Sequence, residues 1–223
     1  MQIGVRRRLL HRHADFIPTL LLVLSGGKRV IPEVILTALF LGWALKGRFG
    51  RLADVRIKYW WMIFVPLGLM IASLAVNYSH AVPFSSPLFS IVRVAELATV
   101  AVFTIANWSI PGAKLVLAGL VVNLVVVIAN GGMMPVDYDC LVAITGRERL
   151  KDWIAVFPFV NDMLIRSGTR LAFLCDVIPA RWPFVLVPSV YSIGDVITSI
   201  GGFIAIIAIM RTPLPAEHRG VSR

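Results

Sequence analysis

Only two cysteines and four histidines occur in the 223 residues. The histidines, His11, His13, His80 and His218, are scattered, and none lies beside a cysteine or a carboxylate cluster. That spacing excludes a zinc-finger set and a disulfide framework, so no metal is expected. Cys140 and Cys175 could form one bridge at most, and an unpaired cysteine commonly serves as a small buried apolar side chain. Acidic residues are scarce as well, 12 against 22 Lys and Arg. The resulting formal charge of +10 comes without zinc-ligand spacing, a helix-turn-helix pattern or an aromatic RNA-binding motif, so no nucleic-acid partner is expected. No phosphate-binding glycine loop is present, and no cofactor is expected. Ser25-Gly26-Gly27-Lys28 has the letters of a serine-lysine nucleophile pattern but lacks its companion motifs, and no catalytic residue is assigned.

What the chain has in excess is apolar residues, 58% of the total, with a mean hydropathy of +0.82. A soluble domain carries roughly 45–50% apolar residues. Windows of about nineteen residues pick out five apolar runs, at Val30–Leu45, Trp60–Val76, Ile91–Ile110, Ala113–Ala129 and Pro188–Met210. The expectation is an all-α integral membrane bundle of about five transmembrane helices, forming one domain over residues 30–212. Glu33 lies near the start of the first run, at interfacial depth, and Pro66 is expected to kink the second. Residues 130–187 mix apolar side chains such as Leu141, Leu150, Trp153 and Leu164 with balanced charges, which fits extracytoplasmic helices resting on the membrane face.

Orientation follows from Lys and Arg in short loops. Lys46, Arg48, Arg51, Arg56 and Lys58 mark the first loop as cytoplasmic, residues 77–90 carry neither Lys nor Arg, and Lys114 marks the next connection. The tail over residues 213–223 is then cytoplasmic and the N-terminus outside. Arg6, Arg7, Arg8, Arg12, Lys28 and Arg29 conflict with that orientation. Three readings address the conflict: a signal peptide interrupted by Pro18, a disordered basic extension over residues 1–29, or a non-native segment in which Gly26-Gly27-Lys28 translates a ribosome-binding sequence ahead of a start near Val30.

Polar residues inside apolar runs are costly, so they mark function or a buried pair. Glu96 stands three residues after Arg93 and can pair with it. Asn123 and Asn130 share one face of the fourth span, and Ser192 and Asp195 enter the fifth. Gly131 and Gly132 end the fourth span, either as a simple glycine cap or as a bend returning backbone to the bundle. Glu96, Asn123, Asn130, Gly131, Gly132, Ser192 and Asp195 are therefore the candidate ligand-binding residues. Interhelical packing by the same side chains is the competing reading.

Four stretches, Gly50-Arg51-Leu52, Asn130-Gly131-Gly132-Met133-Met134-Pro135-Val136, Leu174-Cys175-Asp176-Val177-Ile178-Pro179 and Ser192-Ile193-Gly194-Asp195, together resemble a family of small bacterial polytopic membrane proteins, domain of unknown function 5317. The resemblance implies a bacterial cytoplasmic-membrane location and supplies no activity. The family's glycine motif is often basic at the position of Met133, so a role for positive charge there is not expected. Three functions remain open: binding or transport of a small solute or lipid through the polar cluster, an accessory or assembly role in a larger membrane complex, and a membrane enzyme using Asp176 and Asp195. The partners expected are membrane lipids and either further copies of the chain or a larger complex.

Overall fold

The structure is a computed structural model that describes residues 30–78, 86–148, 150–151, 164–181, 185 and 188–211. The expectations for residues 1–29, for Trp153 and for the tail over 213–223 lie outside the described residues.

The apolar runs fold as helices. Helix α1 is Val30–Ala44, and a short α2, Gly50–Ala53, follows it. The second run opens as a 3-10 turn, Trp60–Ile63, and continues as α3, Phe64–Tyr78. Pro66 therefore stands in the first turn of α3, where its missing N–H has no intrahelical partner to lose, and not inside a continuous span as expected. Helix α4 is Pro87–Ala106, with Pro87 at its first turn after Ser86. It starts four residues before the apolar run because proline at that position favours initiation whatever its hydropathy. Helix α5 is Ala113–Ala129, α6 is Tyr138–Thr145 and α7 is Ile193–Arg211. By length and composition α4 and α7 can each cross a membrane, whereas α1, the stretch from Trp60 and α5 are shorter apolar helices.

Helix α7 is central and packs on α5 and α1, while α4 joins α5 to α3. Glycines set the closeness of the α5–α7 crossing. A Cβ on Gly201 would come within 2.6 Å of the Val116 nitrogen, one on Gly119 within 2.7 Å of the Thr198 nitrogen, and one on Gly194 within 2.6 Å of the Gly119 carbonyl. These contacts fix the two helices antiparallel, with the backbones close enough for dispersion between them to act.

The two ends of the bundle differ in charge. At one end the Arg48 N–H donates to the Met210 carbonyl at 2.8 Å, and the Arg51 guanidinium donates to the carbonyls of Met210 and Arg211. A cation there satisfies the free carbonyls and the negative pole of α7. Asn107, which caps α4, grips Lys58 at the same end, accepting from its N–H at 2.9 Å and donating to its carbonyl at 3.0 Å. Lys46, Arg48, Arg51, Arg56, Lys58, Lys114 and Arg211 are thus gathered at this basic end, with Asp54 as the acid among the described residues there.

The opposite end carries a cap. Its core is Val126, Val127, Met134 and Cys175, against which Val94 and Leu97 of α4 and Ile165, Leu171, Leu174 and Val177 of the long segment pack. Leu171 and Leu174 were expected in helices lying on the membrane face. They instead pack against the core shared with Val126 and Val127 of α5, and the chain around them is a 3-10 turn, Ala172–Leu174. The segment also forms an antiparallel pair absent from the all-α expectation: β1, Ile178–Ala180, against β2, Ser189–Tyr191, with Pro179 opposite Val190. Proline is tolerated because a two-stranded ladder has only edges. Among the described residues the long segment contains the α-helix α6, and residues 152–163 lie outside the described residues.

Candidate functional site

Strand β2 runs directly into α7, so Ser192 becomes the N-cap residue and Asp195 the third helical position. The Asp195 N–H donates to the Ser192 hydroxyl at 3.0 Å, and the Ser192 N–H donates back to the Asp195 carboxylate at 3.2 Å. This reciprocal pair is a capping box, with aspartate in the usual glutamate place. Asn123 closes the ring from α5. Its amide N–H donates to Asp195 Oδ1 at 2.7 Å, and its carbonyl oxygen accepts from the Ser192 hydroxyl at 2.8 Å. All three residues are buried, and Gly194 makes the approach possible, since a Cβ there would overlap the Asn123 amide.

Ser199 stands four residues after Asp195 along α7. It donates to the Asp195 backbone carbonyl at 2.7 Å, the usual back-bond of a helical serine. In the same crossing the Thr198 hydroxyl is buried and makes no hydrogen bond, and so is that of Ser189 in β2.

The remaining candidates lie elsewhere. Glu96 meets Arg93 on α4 at 3.4 Å, as the three-residue spacing predicts, with the carboxylate the less exposed of the two. Asn130 caps α5, about 10 Å along the axis from Asn123 at 1.5 Å per residue. Its side chain accepts from the Arg170 N–H at 2.9 Å and donates to the Arg170 carbonyl at 2.9 Å. Gly131 and Gly132 have φ of 67° and 88°. The Gly132 N–H reaches the Val127 carbonyl at 2.8 Å and the Gly131 N–H the Ile128 carbonyl at 3.3 Å. That is the bonding of a Schellman cap, so the simpler of the two readings of these glycines describes them. Gly132 also lies against Ser90 of α4, whose hydroxyl donates to the Gly131 carbonyl.

Beyond the glycines, the Asp176 N–H donates to the Pro135 carbonyl at 3.0 Å, and the Asp137 N–H donates to the Asp176 carbonyl at 2.9 Å. Asp137 then caps α6 by accepting from the Cys140 N–H at 2.9 Å. Asp176 itself is buried. Both cysteines are free thiols. The Cys140 thiol donates to the Val177 carbonyl at 3.3 Å, and burial, then the carboxylate of Asp137, push its pKa up to about 11. Burial, then the charge of Asp176, push Cys175 up to about 11. Among the described residues no group of His, Cys, Asp and Glu could hold a metal.

Asn107 was not among the candidates, though it does at the basic end what Asn130 does at the cap. Both cap a helix at φ −110°, and both hold a distant backbone N–H and carbonyl with one amide. The available signal was asparagine at the end of an apolar run, in Ala106-Asn107 and Ala129-Asn130.

No curated protein and no solved structure matches the chain. The family model described as "Family of unknown function (DUF5317)" matches residues 54–207. The glycine motif, the Cys175 motif and the Ser192 capping box fall inside that match, and Gly50-Arg51-Leu52 precedes it. With well over half of its length matched, the chain belongs to the DUF5317 family.

Proposed function

We propose that this chain is a multi-pass protein of the bacterial cytoplasmic membrane and acts there as a non-catalytic accessory or assembly subunit, presenting its cap on the outer face. The observation that carries this reading is how the motif residues are used. Asn123, Ser192 and Asp195 bond to one another, and Asn130 bonds to Arg170. Polar groups engaged in this way hold a surface in place. The same commitment gives the enzyme reading little support at Asp195, because a carboxylate fixed in a cap is poorly placed to shuttle protons.

Five spans fit the side chains the helices expose. Phe40 of α1 is 65% exposed, Ile91 of α4 64% and Ile128 of α5 57%, a degree of apolar exposure that hydrocarbon tolerates and water does not. Helices α1 and α5 are short for a core of about 30 Å, a mismatch that local thinning of the bilayer accommodates. The excess of basic residues at one end supports a cytoplasmic position for that end.

Solute binding is the second reading. It is favoured by the buried hydroxyls of Ser189 and Thr198 beside the polar ring, since unsatisfied hydroxyls at a helix crossing can receive a polar guest. Native electrophoresis of membranes in mild detergent separates the two. Migration in a complex larger than the monomer, retained in Thr198→Val, supports the assembly role. Migration at monomer mass, with solute uptake lost in Thr198→Val, overturns it.

A further inference from the structure

We infer that the basic end is a docking surface for anionic lipid headgroups, which goes beyond the assembly role but rests on the membrane-spanning part of that reading. Lys46, Arg48 and Lys114 are exposed there. Around them stand large aromatics, with Trp43 58%, Trp60 61% and Trp108 47% exposed. The four tryptophans among the described residues, these three and Trp61, all lie at this end. Indole rings prefer the headgroup level of a bilayer, so they fix the depth at which the cations sit. The Lys114 ammonium lies 5.4 Å from the centre of the Trp108 ring, which ties a cation to that level.

A second observation concerns Lys46. Two residues beyond the end of α1, Lys46 has φ 63°. Its N–H reaches the Trp43 carbonyl at 2.9 Å, and the Gly47 N–H reaches the Gly42 carbonyl at 2.8 Å. That is a Schellman cap in which lysine occupies the left-handed position glycine takes by default. Tyr59, the other non-glycine residue with positive φ at this end, follows Lys58 at φ 53°. Backbone strain borne by residues with long amphipathic side chains points to a use for those side chains. The occupant is a headgroup and not a soluble polyanion, because the cations share their level with exposed indoles that continue into apolar helices. Attraction to an anionic leaflet adds up over neighbouring cations, so several together discriminate headgroups.

The test uses the full chain in mild detergent, with its melting temperature followed as phosphatidylglycerol, phosphatidylcholine or inorganic phosphate is added. Phosphatidylglycerol is expected to raise the melting temperature at least twofold more than phosphatidylcholine does, with the difference lost at about 0.5 M salt. Free phosphate at the same concentration is expected to have no effect. Lys46→Gln/Arg48→Gln/Lys114→Gln should lose more than half of the anionic-lipid shift. Lys46→Gly should melt higher than wild type without lipid, because strain is relieved, yet gain less from phosphatidylglycerol. Equal shifts with the two lipids, an equal shift with free phosphate, or an undiminished lipid shift in the triple variant overturns the inference. If that variant does not fold, native mass spectrometry of the wild type decides, with preferential retention of phosphatidylglycerol expected and equal retention of both lipids overturning it. Release of the chain from membranes by alkaline carbonate would sink the membrane reading itself, whereas embedding without lipid preference sinks only this inference.

Discussion

Asp195 accepts from two donors that have little access to water, the amide of Asn123 and the N–H of Ser192. Replacing it with leucine strands both, and a buried donor left unsatisfied costs roughly 1–3 kcal/mol. Asp195→Leu is therefore expected to lower stability by about 3 kcal/mol, and Asp195→Asn, which keeps one acceptor, by about 1 kcal/mol. Asp54→Leu on the exposed loop should stay within about 0.5 kcal/mol of wild type. Thermal unfolding in detergent measures all three, and equal tolerance of Asp195→Leu and Asp54→Leu would remove the strut role. The cysteines give a second expectation at this scale. With folded pKa values of about 11, both are protonated at neutral pH, and the thiolate is the reactive form. Neither should be modified by maleimide at pH 7 in the folded protein, and both should react once it is unfolded. An unfolded thiol ionises near its ordinary value while the folded one stays protonated, so these residues subtract stability as pH rises through the interval from about 9 to about 11.

For the helices, the decisive contact is the α5–α7 crossing. A methyl group added at Gly194 meets Asn123 and the Gly119 carbonyl, whereas at Gly68 of α3 it meets nothing within 4 Å. Gly194→Ala should therefore destabilise by about 1–3 kcal/mol, the usual cost of overpacking. Gly68→Ala should stabilise by about 0.5–1 kcal/mol, because alanine is the better helix former. If both changes had the same sign, the crossing would not be as close as described. The interhelical hydrogen bond from Asn123 adds about 0.6 kcal/mol by the average for membrane helices, so packing outweighs polarity here and the ring serves to fix register. Much of this was open to a reading of the sequence. Ser192-Ile193-Gly194-Asp195 has the letters of a helix start, and Asn130-Gly131-Gly132 those of a helix stop. The sequence did not say that Asn130 reaches Arg170 while Asn123 reaches Asp195, because residues on one helix face can still meet different neighbours along the axis.

At the level of the whole molecule, the two ends predict a topology. With the native thiols protected, Arg51→Cys should resist an impermeant maleimide in intact cells and react after permeabilisation, whereas Gly168→Cys in the exposed turn of the cap should react at once. The reverse pattern would turn the molecule over in the membrane. The capping of α7 by Arg51 adds a stability test: Arg51→Ala should cost about 1 kcal/mol by loss of the favourable charge and hydrogen bonds at a helix C-terminus.

The sequence by itself determined that the chain is mostly helical and roughly where its long apolar helices run, except that the fifth run, expected as helix from Pro188, opens as strand Ser189–Tyr191 and turns helical at Ile193; hydropathy and the glycine, proline and asparagine signals act over a few neighbouring residues. It also determined the Arg93–Glu96 pair and the imbalance of charge between short loops, which are equally local. Only the tertiary structure decided that the long segment from Asn130 shares a core with α4 and α5 and forms a two-stranded ladder, since Met134, Cys175 and Leu171 are apolar residues whose partners are distant in sequence. It likewise decided which candidate polar residues meet. The ring of Asn123, Ser192 and Asp195 depends on glycine-permitted backbone approach between α5 and α7, and spacing along one chain cannot encode the distance between two helices.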